Sequence, residues 1–167
     1  METLRKALIA RLKGAKKIAV LGIGSDLRGD DAAGVMVAES VSRKTRSPRL
    51  KVYIGSTAPE NLTGEIRKFK PSHLVMIDTA ELKGKPGAIF ILRPEDFGDA
   101  VSFSTHKMPA KVLIDYFLKS FKCSFTLIGI QPKSIGFGDK ISRPVRNSIK
   151  EVADSIVIAA KKRDEIR

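Results

Sequence analysis

The reading of Ile18-Ala-Val-Leu-Gly-Ile-Gly-Ser-Asp-Leu-Arg-Gly-Asp-Asp-Ala-Ala-Gly34 decides the fold. It opens with a continuous apolar run, the pattern of a strand covered on both faces. Gly22, Gly24 and Gly29 break that run into a loop, which ends in the acid pair Asp30-Asp31. Val35, Val37, Ala38 and Val41 then follow at helix-compatible spacing. Aspartates at a helix mouth cap orphan N–H groups and complement the positive end of the dipole. One aspartate is enough for that, which leaves the second for other chemistry.

Outward from this stretch the pattern repeats. On the N-terminal side, Leu4, Leu8 and Leu12 fall on one face of a basic helix within residues 1–16. On the C-terminal side, the helix over about 31–44 gives way to a basic turn with Pro48. Leu50–Ile54 alternates like a strand, and Thr57-Ala-Pro-Glu60 starts a helix that Pro71 stops. His73–Asp78 is a second buried apolar strand and Ala88–Leu92 another. Residues 93–104 read as a loop. A helix over 109–120 places Val112, Leu113, Tyr116 and Phe117 on its apolar side. Ser124–Ile130 is a further strand, and Ser142-Arg-Pro144 opens a last helix with Val145, Ile149, Val152 and Ile156 in line. Strands alternating with helices predict a three-layer α/β fold, with a mainly parallel twisted sheet of about five strands and helices on both faces.

In such sheets ligands bind beyond the carboxyl ends of the strands. The first strand leads to Asp31, the third ends at Asp78, and the loop before a later helix carries His106. Two carboxylates and an imidazole suit zinc, nickel or iron. Each residue also has a structural explanation: a cap for Asp31, a loop-amide acceptor for Asp78, a helix cap for His106. His73, the other histidine, opens a strand and reads as structural.

Other chemistries fit less well. Gly22-Ile-Gly24 is followed by Ser25, Asp26 and Leu27, so the third glycine of a dinucleotide fingerprint is missing, and an acid pair would repel a pyrophosphate. Ser25, Ser56 and Ser104 lie outside any GxSxG elbow. Cys123, the only cysteine, has no nearby CxxC or histidine; it excludes an intramolecular disulfide and suits a reducing compartment. No apolar run approaches the ~18 residues of a membrane span, and charges interrupt the N-terminal segment too often for a signal peptide, so a cytoplasmic location is expected.

The net charge of +13 raises nucleic-acid binding, but its distribution argues against it. Residues 18–42 carry −3 and residues 76–106 carry −2, so the expected site is acidic and the basic excess lies elsewhere, notably in Arg43–Lys51. Lysine-rich surfaces with few amides, here two Asn and one Gln, also occur in heat-adapted proteins.

Several segments together resemble the nickel–iron hydrogenase maturation proteases. They are Gly22–Gly34, Ala58-Pro-Glu-Asn61, Val75-Met-Ile-Asp78, Ser104-Thr-His-Lys-Met-Pro109 and Ile128-Gly-Ile-Gln-Pro132. The last two look most like the branch serving formate-hydrogenlyase-type hydrogenases. The resemblance spans nearly the whole chain after the N-terminal helix. It implies one maturation-protease domain over 1–167, with the basic helix of residues 1–16 appended.

The implied activity is removal of a short C-terminal extension from the nickel-loaded precursor of the hydrogenase large subunit. The family's metal-contacting acid matches Asp31, its second acid Asp78 and its histidine His106, so these three are the implied catalytic and metal-contacting residues. The implied metal is nickel, brought by the precursor, although other divalent ions fit the same donors. The precursor is the implied partner. The basic helix lies outside the resemblance and is a candidate docking element for the precursor or another maturation protein, and neither a nucleic-acid nor a membrane partner is expected. Asp30 and Asp26 are read as supporting or capping groups. Many relatives carry an acid followed by Gly-Gly-Ser or Gly-Gly-Thr after the second strand. Here that stretch is Ile54-Gly-Ser-Thr57, without the acid. A nickel-sensing or nickel-carrying module that binds the precursor without cutting it is the alternative.

Overall fold

The computed structural model describes residues 2–92, 102–103 and 110–165. Among these, the chain runs α1 (Glu2–Leu12), β1 (Ile18–Ile23), α2 (Ala33–Lys44), β2 (Leu50–Ser56), α3 (Thr63–Phe69), β3 (His73–Glu81), β4 (Ile89–Leu92), β5 (Ser102–Phe103), α4 (Ala110–Ser120), β6 (Ser124–Ile130) and α5 (Arg143–Glu165). Short 3₁₀ turns, Gly29–Ala32 and Pro59–Leu62, lead into α2 and α3.

The sheet order is β2-β1-β3-β6-β4. β1 pairs in parallel with β2 and β3, and β3 with β6, while β4 runs antiparallel to β6 at one edge. The expected three-layer, mainly parallel sheet is therefore present. All six residues of β1 and the first eight of β3 are buried, which is why both read as unbroken apolar runs. Strand alternation sends Val20, Val75, Ile77 and Ile128 into a core with α1, α2 and α5. Leu21, Leu74, Met76 and Leu127 face the opposite core, under α3 and α4.

Two local expectations need correction. Residues 102–103, inside the stretch read as a loop, form β5 and pair antiparallel with Ala80 and Glu81 at the end of β3. In α4 the buried residues are Leu113, Ile114 and Phe117, continuing to Phe121, whereas Val112 and Tyr116 are exposed. The helix is rotated so that Phe117 and Phe121 stack, with ring centroids 5.6 Å apart. Packing against α3 and the sheet, rather than the width of the apolar arc, sets which side is buried.

Candidate active site

The site is built where α2 meets the carboxyl ends of β1 and β3. A Cβ on Gly34 would lie 2.3 Å from both the Ile23 and Ile77 carbonyl oxygens. A Cβ on Gly22 would lie 2.4 Å from the Gly34 carbonyl oxygen and 2.6 Å from Ala38 Cβ. Glycine at both positions lets the first turn of α2 rest directly on the two strand ends. The β1–β2 register shifts at Gly22/Ile23, and the chain leaves the sheet there into the glycine loop. Gly24, at φ +136°, adopts a backbone conformation open to glycine and packs against the Asp31 backbone.

This close packing carries Asp31 to the carboxyl end of β1, where β1–β3 pairing stops at Ile77 and Asp78 and Thr79 follow; β3 itself runs on to Glu81, three residues beyond the end expected at Asp78. Both aspartates are buried. The Ser25 N–H donates to Asp31 Oδ2 at 3.2 Å, and the Thr79 N–H donates to Asp78 Oδ1 at 2.7 Å. In each carboxylate one oxygen is thus held by a backbone amide, which fixes the direction of the other. Asp31 Oδ1 and Asp78 Oδ2 are themselves inaccessible to solvent. The Thr79 hydroxyl donates to the Asp30 carbonyl oxygen at 2.9 Å, clamping the acid-pair turn to the end of β3.

The two members of the acid pair have different tasks, and neither caps α2. The cap position of α2 is Ala32, with no side-chain hydrogen bond. Asp30 instead reaches across the molecule. Its Oδ2 accepts from the Lys133 N–H (2.8 Å), the Ser134 N–H (3.3 Å) and the Ser142 hydroxyl (2.9 Å). Its Oδ1 accepts from the Ser142 N–H at 2.7 Å. Asp30 therefore fastens the 131–142 loop and the entrance to α5, a structural role consistent with the supporting function read from sequence. Asp26 is exposed on the loop surface. His106 lies outside the described residues. Among the described residues no group of three or more His, Cys, Asp and Glu side chains gathers as a metal site; Asp31 and Asp78 supply two hard oxygen donors.

Gln131 has a role the sequence alone did not disclose. Its Oε1 accepts from the Leu82 and Gly84 N–H groups at 2.8 and 3.2 Å, and its Nε2 donates to both Glu81 carboxylate oxygens at 2.9 Å. It thereby shapes the turn that follows β3. A lone glutamine after an apolar strand, followed by proline, was the available signal. Ser56 sits at φ +46°, a left-handed conformation that costs a non-glycine residue about 1 kcal/mol. Its carbonyl oxygen accepts from the Gly24 N–H at 2.9 Å, joining the β2 end to the site loop.

The remaining candidates fall away from this edge. His73, at the opposite end of β3, is buried and shares a 2.8 Å hydrogen bond between Nε2 and the Thr126 hydroxyl. Burial, helped by the Arg11 charge, pushes its pKa down to about 4, so it is a neutral structural histidine at ordinary pH. Burial likewise pushes the Cys123 thiol up to about 11, against an opposing backbone hydrogen bond at Leu74, which makes it a poor nucleophile.

The family model described as "Hydrogenase maturation protease" matches residues 35–159 of the chain. The hydrogenase 3 maturation protease of Escherichia coli is 32% identical over 133 residues, covering 80% of this chain and 84% of that protein. Among solved structures, a NiFe hydrogenase maturation protease from Thermococcus kodakarensis matches with a TM-score of 0.84 and 32% identity, over 93% of this chain and 99% of that one. The crystal structure of the hydrogenase 3 maturation protease matches with a TM-score of 0.71 and 28% identity, over 83% and 87% of the two chains.

Proposed function

The chain belongs to the hydrogenase maturation proteases, and from that premise we propose that it removes the C-terminal extension of the nickel-loaded large-subunit precursor of a nickel–iron hydrogenase. The observation that carries this reading is the pair of buried carboxylates, Asp31 and Asp78, brought to one edge of the sheet by the seating of α2 on β1 and β3. Residues 1–167 act as one protease domain, with the basic α1 at its N-terminal end.

Nickel enters as part of the substrate. Oxygen donors from Asp31 and Asp78, with an imidazole from His106, suit a borderline divalent ion. These residues recognise the metal and so place the scissile peptide. Such positioning lowers a barrier by up to roughly 7–11 kcal/mol. One of the two carboxylates takes a proton from water as the water oxygen attacks the peptide carbonyl carbon. The C–N bond then breaks, and the proton passes to the departing amine. Backbone hydrogen bonds from Ser25 and Thr79 hold the carboxylates in the required orientation before substrate arrives.

The test incubates the purified protein with nickel-loaded and nickel-free precursor and reads the precursor's C-terminus by mass spectrometry. The expected outcome is tail loss from the loaded precursor alone, reduced at least a hundredfold by Asp31→Asn, Asp78→Asn or His106→Ala. Intact precursor throughout, with tight nickel binding by the protein by itself, would establish a carrier instead.

A further inference from the structure

Two loops beside the site expose large apolar side chains. Leu27 is 60% exposed, Ile135 36% and Phe137 78%. Leu27 lies on the glycine loop, between Ser25, which donates to Asp31, and Asp31 itself. Ile135 and Phe137 lie on the 131–142 loop that follows β6, the strand next to β3.

These loops are tied to each other. The Gly138 N–H donates to the Leu27 carbonyl oxygen at 2.9 Å, Arg28 Nε donates to the Ile135 carbonyl oxygen at 3.2 Å, and the Asp30 N–H donates to the Ser134 carbonyl oxygen at 3.0 Å. The Asp30 carboxylate adds its bonds to the Lys133 and Ser134 amides. Within the 131–142 loop the Ser134 hydroxyl bonds the Asp139 carboxylate, and the Asp139 N–H donates to the Gly136 carbonyl oxygen at 3.2 Å. Single exposed apolar residues are ordinary on protein surfaces. Here three large ones stand on two loops whose backbones are cross-linked, so the loops are fixed on folding and their ordering cost is not met again on binding.

We propose that Leu27, Ile135 and Phe137 seat an apolar segment of the hydrogenase precursor next to the bond to be cut. This rests on the reading of Asp31 and Asp78 as the site of proteolysis. The occupant is a substrate segment rather than a second copy for two reasons. Leu27 belongs to the loop whose Ser25 N–H holds Asp31, and the Asp30 carboxylate ties the other loop to the same turn, so the platform lies beside the carboxylate that the substrate must reach. In addition, a net charge of +13 opposes self-association, and three side chains fall far short of the ~1,200 Å² total that a specific interface buries. Phe137 is the expected anchor, since aromatic side chains contribute most when they fill a partner's pocket.

The experiment measures cleavage and binding of the nickel-loaded precursor by the wild-type protein, Phe137→Ser, Leu27→Ser with Phe137→Ser, and Val112→Ser as an exposed apolar control on α4. Binding is read separately by biolayer interferometry at limiting exposure time. The expected result is a KM and Kd raised at least tenfold by Phe137→Ser and further by the double variant. Their kcat stays within twofold of wild type, the unfolding midpoints do not move, and Val112→Ser behaves as wild type. Wild-type cleavage with unchanged KM and Kd in both platform variants overturns the platform and leaves the protease reading intact. A precursor that binds through Phe137 but is never cut, even by the wild type, overturns the protease reading and leaves the platform. Sedimentation that shows a wild-type dimer, dispersed by the double variant with KM unchanged, assigns the patch to self-association and overturns the proposal.

Discussion

Adjacent aspartates in one turn hold different partners, Asp30 the 131–142 loop and Asp31 the glycine loop, and single substitutions should separate them. Asp30→Ala leaves the amides of Lys133, Ser134 and Ser142 without their acceptor, and should lower stability by about 3 kcal/mol in urea unfolding. Asp31→Asn keeps the shape of the side chain and an oxygen for the Ser25 N–H, so its unfolding midpoint should shift far less while cleavage is lost. Equal destabilisation by the two would contradict the division of labour. The sequence showed that two acids stood where one cap would do. It could not show that Asp30 serves a helix entrance 112 residues away, because nothing local to Asp30 encodes that partner.

At the scale of elements, the site depends on how closely α2 sits on the sheet. Gly34→Ala would put a methyl group within 2.3 Å of two backbone carbonyl oxygens, neither of which can rotate away. The helix must lift, at a cost on the order of 1–3 kcal/mol. Asp31, in the turn just before α2, moves with it. The expected result is a lower denaturation midpoint together with a fall in cleavage rate, whereas Gly64→Ala, at a position with open space around it, should show neither. Most elements were legible because burial imposes local periodicity: continuous for β1 and β3, helical for Val145, Ile149, Val152 and Ile156 of α5, all buried. The exposed Val112 and Tyr116 of α4 were misread because several apolar stripes fit one short amphipathic helix. Contact with α3 and the sheet chooses among them.

For the molecule as a whole, stability should carry the signature of His73. The unfolded chain binds a proton at this residue below its ordinary pKa of 6.5, while the folded protein does not until about 4. Its stabilising contribution is therefore complete above pH 6.5 and is lost as pH falls towards 4. Between pH 6.5 and 5, before most carboxylates titrate, the expected loss is about 2 kcal/mol. A series of urea midpoints across that window checks it, and His73→Asn should flatten the slope. Sequence by itself determined the alternating α/β architecture, the buried central strands, and the delivery of Asp31 and Asp78 to the carboxyl edge of a parallel sheet. These follow from residue periodicity and the rules of parallel pairing, which are local or topological. Tertiary structure alone decided which distant groups Asp30 fastens, the rotation of α4, the organising role of Gln131, and the tying of the Leu27 loop to the loop of Ile135 and Phe137. Each of those depends on a hydrogen bond or packing contact between residues distant along the chain, and such partners are chosen only when the whole core closes.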